Sequence, residues 1–144
     1  MRLTSFTDYA FRVLIYLALH PDRRVTIREI SEAYGISRTH LMKVVNLLAR
    51  QELVDAQRGP AGGLSLARSP AEIGVGEVVR KTEDELALVE CFRGDNACRI
   101  TPVCLLAGML GKALKAFLAE LDRWTLADVV ANADALRGVL EVAE

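Results

Sequence analysis

Two helix starts separated by a glycine turn constrain the fold of this 144-residue chain more than any other feature. Thr26 is followed three residues later by Glu29, and this spacing forms the capping box at which a helix begins. The helix predicted there ends at Gly35, because glycine readily adopts the left-handed conformation of a helix stop. Ser37 then caps the next helix, so the two helices predict a helix-turn-helix.

A β-hairpin is predicted directly after this pair of helices. Residues 53–58 and residues 64–67 alternate in polarity, and the segment 59–63 between them is rich in glycine. A helix-turn-helix followed by a hairpin is a winged helix. We therefore expect a mainly α fold with a small β-hairpin wing, a winged helix-turn-helix followed by a long helix.

Three shorter helices are predicted on either side of this unit. Residues 8–19 are apolar on nearly all sides, and Asp8 stands where an N-cap is expected. A short helix is expected over residues 73–81. Thr125, followed three residues later by Asp128, caps a last short helix.

The longest predicted helix spans residues 103–121 and carries an apolar stripe of α-helical period. Other apolar side chains make this face wider than one neighbouring helix needs, so we expect it to form the interface of a homodimer. The stripe consists of Val103, Leu106, Leu110, Leu114, Phe117 and Leu121.

Charge is unevenly distributed along the chain, although the formal net charge is only −1. Residues 1–70 hold ten Lys and Arg against six Asp and Glu, whereas residues 71–144 hold eight against thirteen. A basic first half and an acidic second half are typical of a DNA-binding domain joined to a module of different function.

The early apolar segment indicates neither a membrane span nor a secretory signal. Residues 13–19 lie between Arg12 and His20, and this run is far shorter than the ~20 residues that span a bilayer. A signal peptide would continue into a small-residue cleavage site, but His20 and Pro21 follow instead. We therefore expect a cytoplasmic protein that does not enter a membrane.

The second helix of a helix-turn-helix enters the major groove of DNA by its N-terminal end. Arg58, beside Gly59 at the wing tip, is placed to reach a narrow minor groove, where the negative potential favours arginine. The alternative is that the polar residues at the start of the second helix are only a solvated helix face, since winged helices also bind proteins. The candidate groove residues are Ser37, Arg38, Thr39, His40 and Lys43.

The only three cysteines of the chain, Cys91, Cys98 and Cys104, are separated by six and five residues. An odd number of thiols in a reducing compartment argues against a disulfide framework. The gaps are too long for common zinc sites, whereas iron–sulfur clusters are held by thiolates at looser spacings. No histidine follows the cysteines. A fourth ligand would thus be a carboxylate, a small molecule or a residue of another subunit; three reduced thiols on a loop remain the alternative.

Several segments together resemble the NsrR repressors, which belong to the bacterial winged-helix family that also contains the iron–sulfur regulator IscR. The resemblance covers nearly the whole chain and is specific in combination. The segments that carry it are residues 3–10 (LTSFTDYA), 34–38 (YGISR), 58–64 (RGPAGGL), 98–104 (CRITPVC), 117–122 (FLAELD) and 125–128 (TLAD).

This resemblance implies a homodimer in which Cys91, Cys98 and Cys104 hold an iron–sulfur cluster, 4Fe–4S in preference to 2Fe–2S. It also implies that Asp8 of the partner subunit is the fourth ligand, and that nitrosylation of the cluster by nitric oxide releases promoter DNA. IscR has a histidine ligand at the position that Ala107 occupies here, which favours the NsrR group. The six-residue first gap is a departure, since the family usually has about five.

The sequence therefore predicts a DNA-binding domain over residues 1–80, a cluster-binding loop over 81–104, and a dimerisation helix with a C-terminal helix over 105–144. The leading hypothesis is a repressor that senses nitric oxide through an iron–sulfur cluster. The alternatives are a metal-free thiol redox sensor or an IscR-like cluster-status regulator of the same fold, and, from another class, an iron–sulfur scaffold or electron carrier. An enzyme is not expected, because the sequence has no Ser/His/Asp set and no phosphate-binding glycine loop.

Overall fold

The computed structural model describes residues 1–141 and consists, over that range, of seven α-helices and one antiparallel pair of strands. The expected winged helix is confirmed, and the last residues of the third expected segment, 142–144, lie outside the described residues. The elements are α1 (Ser5–Ala18), α2 (Ile27–Tyr34), α3 (Arg38–Arg50), β1 (Val54–Gln57), β2 (Gly63–Leu66), α4 (Val75–Thr82), α5 (Leu105–Leu121), α6 (Leu126–Val129) and α7 (Ala133–Glu141). No helix within residues 1–141 is long and apolar enough to cross a membrane.

Helix α1 forms the centre of the hydrophobic core. It packs against α3, α4, α6 and β2, so apolar side chains are required on most of its circumference. Ala10, Val13 and Leu14 are completely buried, and Leu17 is nearly so. Leu126 of α6 joins the same core, so the C-terminal part of the chain packs against the first 80 residues.

The expected start of α1 at residue 8, with Asp8 as its N-cap, is wrong. The helix begins at Ser5, and the cap is Thr4, whose hydroxyl accepts a hydrogen bond from the backbone N–H of Thr7. The apolar period extends one turn earlier than expected, because Phe6 already packs against the core. Asp8 therefore lies in the first turn of the helix and points into solvent.

The helix-turn-helix forms as its caps predict. The hydroxyl of Thr26 accepts from the Glu29 N–H, and the Glu29 carboxylate accepts from the Thr26 N–H at 2.7 Å, which completes the capping box. Gly35 ends α2 in the left-handed region at φ +64°, which a residue with a Cβ would adopt only with strain. The Ser37 hydroxyl caps α3 by accepting from the His40 N–H.

The wing is a short hairpin that a third segment joins to the core. Strands β1 and β2 pair antiparallel from Val54 opposite Leu66 to Gln57 opposite Gly63. Val25, just before α2, exchanges two backbone hydrogen bonds with Leu64 of β2, at 2.9 and 2.7 Å. The second strand of the hairpin is therefore fixed to the helix-turn-helix close to the wing turn.

The second half of the chain differs from the predicted elements in three places. The helix expected over 73–81 is α4, which starts at Val75 because Gly74 is extended and a 3₁₀ turn (Pro70–Glu72) precedes it. The long helix starts at Leu105 and not at residue 103, because Val103 belongs to a second 3₁₀ turn that contains Pro102. Helix α6 is capped by Thr125 as expected, whereas α7 was not predicted.

Helix α5 is attached to the rest of the molecule mainly at its C-terminal end. The guanidinium of Arg80 on α4 donates two hydrogen bonds to the Asp122 carboxylate, at 2.5 and 2.7 Å, which is the bidentate geometry that arginine favours. This ion pair holds the pKa of Asp122 below its usual value. None of the 17 residues of α5 is buried within the part of the chain that the structure describes.

A small residue at position 76 makes this attachment possible. A Cβ built on Gly76 would collide with the Asp122 carboxylate and would lie 2.8 Å from the Arg80 guanidinium. The Gly76→Ala variant is therefore expected to displace the Asp122 carboxylate and break this exposed pair, which should lower the free energy of unfolding by about 1 kcal/mol or less, although alanine is the better helix former. Urea denaturation at constant protein concentration measures the change.

Gly138 in α7 is the matched control for this prediction. A Cβ built there meets nothing within 4 Å, so Gly138→Ala is expected to stabilise the protein by about 0.5–1 kcal/mol. Stabilisation by both variants would contradict the role assigned to Gly76.

Candidate DNA interface and cysteine segment

The five predicted groove residues, Ser37, Arg38, Thr39, His40 and Lys43, are all exposed at the start of α3. The hydroxyl of Ser37 is engaged as the helix cap, so its role within the chain is to start α3. The opposite side of α3 is fixed in the core by the buried side chains Leu41, Val44, Val45 and Leu48. The exposed side therefore projects from the domain as a recognition helix does.

The helical period identifies two outward residues that the sequence analysis missed. Residues 39, 42, 43 and 46 fall opposite the centre of the buried side, at ~100° per residue. Met42 is 52% exposed, and Asn46 is exposed and has no hydrogen-bond partner within residues 1–141. Asparagine reads adenine through two hydrogen bonds, and an apolar side chain contacts the thymine methyl group. Measuring the period from the buried residues would have found both.

Aromatic contacts link the start of α1 to this recognition helix. The ring of Tyr9 lies 6.4 Å from the ring of His40. The Arg12 guanidinium lies 5.7 Å from the Tyr9 ring centroid and 5.8 Å from that of Tyr34, which are cation–π distances. Burial raises the pKa of Tyr34 to about 12, so its ring stays neutral beside the cation.

The wing presents Arg58 on a turn whose backbone only glycine adopts without strain. Arg58 is exposed and has no ion-pair or hydrogen-bond partner within residues 1–141. Gly59 has φ +101°, and Gly63 has φ +133°. Arg24 joins the two strands below this turn, because its guanidinium donates to the Gly63 carbonyl at 3.2 Å and pairs with Asp55. This places a free cation at the tip of an anchored hairpin.

The cysteine segment is held in shape by its own polar groups. The Asn96 side chain accepts from the Cys98 N–H at 2.9 Å and donates to the Thr101 hydroxyl at 2.8 Å. The Glu90 carboxylate accepts from the Ala97 N–H at 3.0 Å. The loop between the first two cysteines is thereby connected to the turn before α5.

The three thiols are free and reachable from solvent. Cys98 is exposed, whereas Cys91 and Cys104 are half-buried. Within residues 1–141, no three His, Cys, Asp or Glu side chains lie close enough together to hold one metal ion. A single chain thus does not bring the predicted ligands together.

Asp8, the predicted fourth ligand, lies on the surface and is held by one ion pair. Its carboxylate accepts from the Arg12 guanidinium at 2.8 Å, and its side chain is 52% exposed. An exposed pair of this kind contributes little to stability, so the carboxylate is available to another partner. Free thiols are the donors that iron–sulfur clusters use, so the chemistry of the three cysteines fits such a group.

Comparison with known proteins places this arrangement among transcriptional regulators. The family model Rrf2, described as an iron-dependent transcriptional regulator, matches residues 3–132. The HTH-type transcriptional regulator NsrR of Bacillus subtilis strain 168 is 47% identical over 146 aligned positions, covering 100% of both chains. The NsrR of Shouchella clausii is 46% identical, covering 98% of this chain and 96% of its own.

Solved structures support the same fold. The T. potens IscR structure has a TM-score of 0.74 and 27% identity, and the alignment covers 92% of this chain and 88% of that one. CymR, the global cysteine regulator of B. subtilis, has a TM-score of 0.73 at 21% identity, which is evidence for the fold alone.

Asn46 and Arg58 are expected to contribute to DNA binding in different ways. Asn46→Ala should relax the preference for one base pair by about 1–3 kcal/mol, because a base-reading amide is lost. Arg58→Ala should weaken binding to all sequences and reduce the slope of log affinity against log salt by about 1. Selection from random-sequence DNA, followed by titrations at several salt concentrations, measures both effects.

Arg123→Ala is the charge-matched control, because Arg123 is exposed just beyond α5 and pairs with Glu120. Equal losses of affinity for Arg58→Ala and Arg123→Ala would rule out a specific contact by the wing.

Proposed function

This chain belongs to the Rrf2 family of transcriptional regulators, and from this premise we propose that it is a cytoplasmic, cluster-binding repressor that senses nitric oxide. It is a DNA-binding regulator and not an enzyme. The cluster and the response to nitric oxide are proposed because the chain is 47% identical over its full length to an NsrR and holds three free thiols in one segment. The family's description as iron-dependent supports the same reading.

Promoter DNA is bound by the recognition helix and the wing. The groove-facing residues of α3 are free to reach base edges, and Arg58 extends the contact from an anchored hairpin. The excess of positive charge in residues 1–70 supplies the general attraction to phosphate.

Cys91, Cys98 and Cys104 would hold the cluster, with 4Fe–4S preferred to 2Fe–2S, and the partner's Asp8 would complete the ligand set. When bound, the cluster supplies iron with which nitric oxide reacts. The residues of this chain supply the response: Asp8 lies in the same turn as Tyr9, which contacts His40 on the recognition helix. Release of Asp8 from the shared site would therefore disturb α1 where it meets α3.

A second copy of this chain would cover α5. Leu105, Leu106 and Met109 are 79%, 57% and 62% exposed, and Val103 just before them is 80% exposed. Contiguous apolar surface of this kind marks a protein interface. A homodimer would bury it and would also supply the partner's Asp8 as the fourth ligand.

A metal-free thiol sensor is the second candidate, and the exposure of Cys98 favours it. Cys98 is a free, exposed thiol with six and five residues between it and the two other cysteines, so it is placed for reversible oxidation to a disulfide. Anaerobic purification separates the two candidates, because only the first requires iron and sulfide.

Cys98→Ala is expected to remove bound iron and sulfide from anaerobically reconstituted protein. A cluster in the unsubstituted dimer should absorb broadly near ~400 nm, as thiolate-bound iron does, and nitric oxide should bleach this band and lower affinity for promoter DNA. Asp8→Ala should retain the iron less tightly.

Asp95→Ala is the control for this experiment, because Asp95 is exposed in the same loop and offers no thiolate. A reconstituted, unsubstituted protein that contains neither iron nor sulfide would exclude the cluster and leave the thiol sensor.

Met109→Lys is expected to shift the chain from dimer to monomer, because a charge at the centre of a buried apolar face cannot be hydrated. Sedimentation velocity measures the change. Val139→Lys is the control, since Val139 is 74% exposed on α7. An unsubstituted chain that sediments as a monomer, or dissociation by both variants, would reject α5 as the interface.

A further inference from the structure

A polar junction joins the start of the cysteine segment to the first turn of α1. Glu83 is the first residue after α4, and the chain runs from it towards the cysteines. One oxygen of its carboxylate, Oε1, accepts hydrogen bonds from the Thr4 N–H at 2.7 Å, the Thr4 hydroxyl at 2.9 Å and the Thr7 hydroxyl at 2.5 Å. The carboxylate thereby connects Glu83 to Thr4, which lies 79 positions earlier in the chain, and to Thr7, which lies 76 positions earlier.

The inner part of this junction is shielded from solvent. Thr7 is completely buried and Thr82 is 5% exposed, and their hydroxyl oxygens lie 2.8 Å apart. Each hydroxyl has one proton to donate. The Thr82 hydroxyl lies equally close, at 2.8 Å, to the Val78 carbonyl oxygen, which can only accept, so its proton is shared between that carbonyl and Thr7. The Thr7 hydroxyl, in turn, is the buried donor that reaches the Glu83 carboxylate.

The junction favours the charged form of Glu83. Partial burial raises the pKa of this carboxyl, but the hydrogen bonds from Thr7 and Thr4 outweigh it and hold the pKa below its usual value. The carboxylate also lies at the positive N-terminal end of α1, which stabilises an anion.

Three consecutive residues of α1 then connect three parts of the molecule. Thr7 binds Glu83, Asp8 is the proposed ligand for the partner's cluster, and Tyr9 contacts His40 on the recognition helix. A displacement of the chain at Glu83 would therefore shift the first turn of α1, to which Glu83 is hydrogen-bonded.

We propose that Glu83 is a positioning residue that fixes the first turn of α1 to the start of the cysteine segment and so couples that segment to the recognition helix. The coupling to a cluster rests on the function proposed above, whereas the coupling between Glu83 and His40 does not.

The iron-free protein provides the first test. Glu83→Ala should speed the exchange of the Thr4 amide proton by about tenfold, because its acceptor is lost, and should shift the NMR signals of the His40 ring. The control is Asp84→Ala, which removes the neighbouring exposed carboxylate. Unmoved His40 signals in Glu83→Ala, or equal shifts in both variants, would overturn the proposal.

The cluster-loaded dimer provides the second test. The measured quantity is the promoter affinity of the cluster-loaded protein divided by that of the iron-free protein. This ratio should be lower by about fivefold or more in Glu83→Ala than in the unsubstituted chain. In Asp84→Ala it should equal that of the unsubstituted chain. A purely structural role would lower both affinities equally and leave the ratio unchanged, which would overturn the coupling.

Thr7→Val keeps the proposal testable if Glu83→Ala does not fold. This substitution replaces one buried hydroxyl by a methyl group and leaves Glu83 bound to Thr4. It should shift the His40 signals in the same direction, by less than Glu83→Ala. Should the unsubstituted protein bind no iron, the cluster proposal fails, and the exchange and NMR measurements still decide whether Glu83 is coupled to His40.

Discussion

The burial of α1 on most sides is the constraint on which the rest of the structure depends. The recognition helix, α4, α6 and the second wing strand all pack on this one helix. Because its middle turns are enclosed, a signal can reach the DNA-binding surface through α1 only at its ends. Its first turn is the open end, and it carries the exposed Asp8, the buried Thr7 and the aromatic contact to His40.

Local signals in the sequence predicted the first half of the fold well, because caps and glycine turns act within four residues. The capping box at Thr26 and the helix stop at Gly35 formed as expected. The start of α1 was misplaced because Thr4 and Asp8 are both good caps, and packing of Phe6 decided between them. Helix α7 was missed because it is only nine residues long and no Ser or Thr with a Glu three residues later marks its start.

The candidate site depends on information that spacing along the chain does not contain. Met42 and Asn46 are an exception, because the apolar residues of α3 mark its inner side and the helical period then places both residues outward. The gaps between the cysteines do not predict how the thiols are arranged in space, and within residues 1–141 of a single chain no three candidate ligands come together. The junction at Glu83 was not predicted either, because its partners are more than 70 residues away.

The ion pair between Arg80 and Asp122 has a geometric consequence for DNA recognition. In a homodimer joined through α5, the distance between the two recognition helices is set by how rigidly each DNA-binding unit is attached to that helix. DNA half-sites lie at fixed multiples of one helical turn, so a loose attachment would lose affinity for both half-sites at once. The attachment is a bidentate pair between α4 and the residue after α5, and Glu83 directly follows α4. In such a dimer, one short helix would both set the spacing of the recognition helices and bear the contact through which the cysteine segment would alter that spacing.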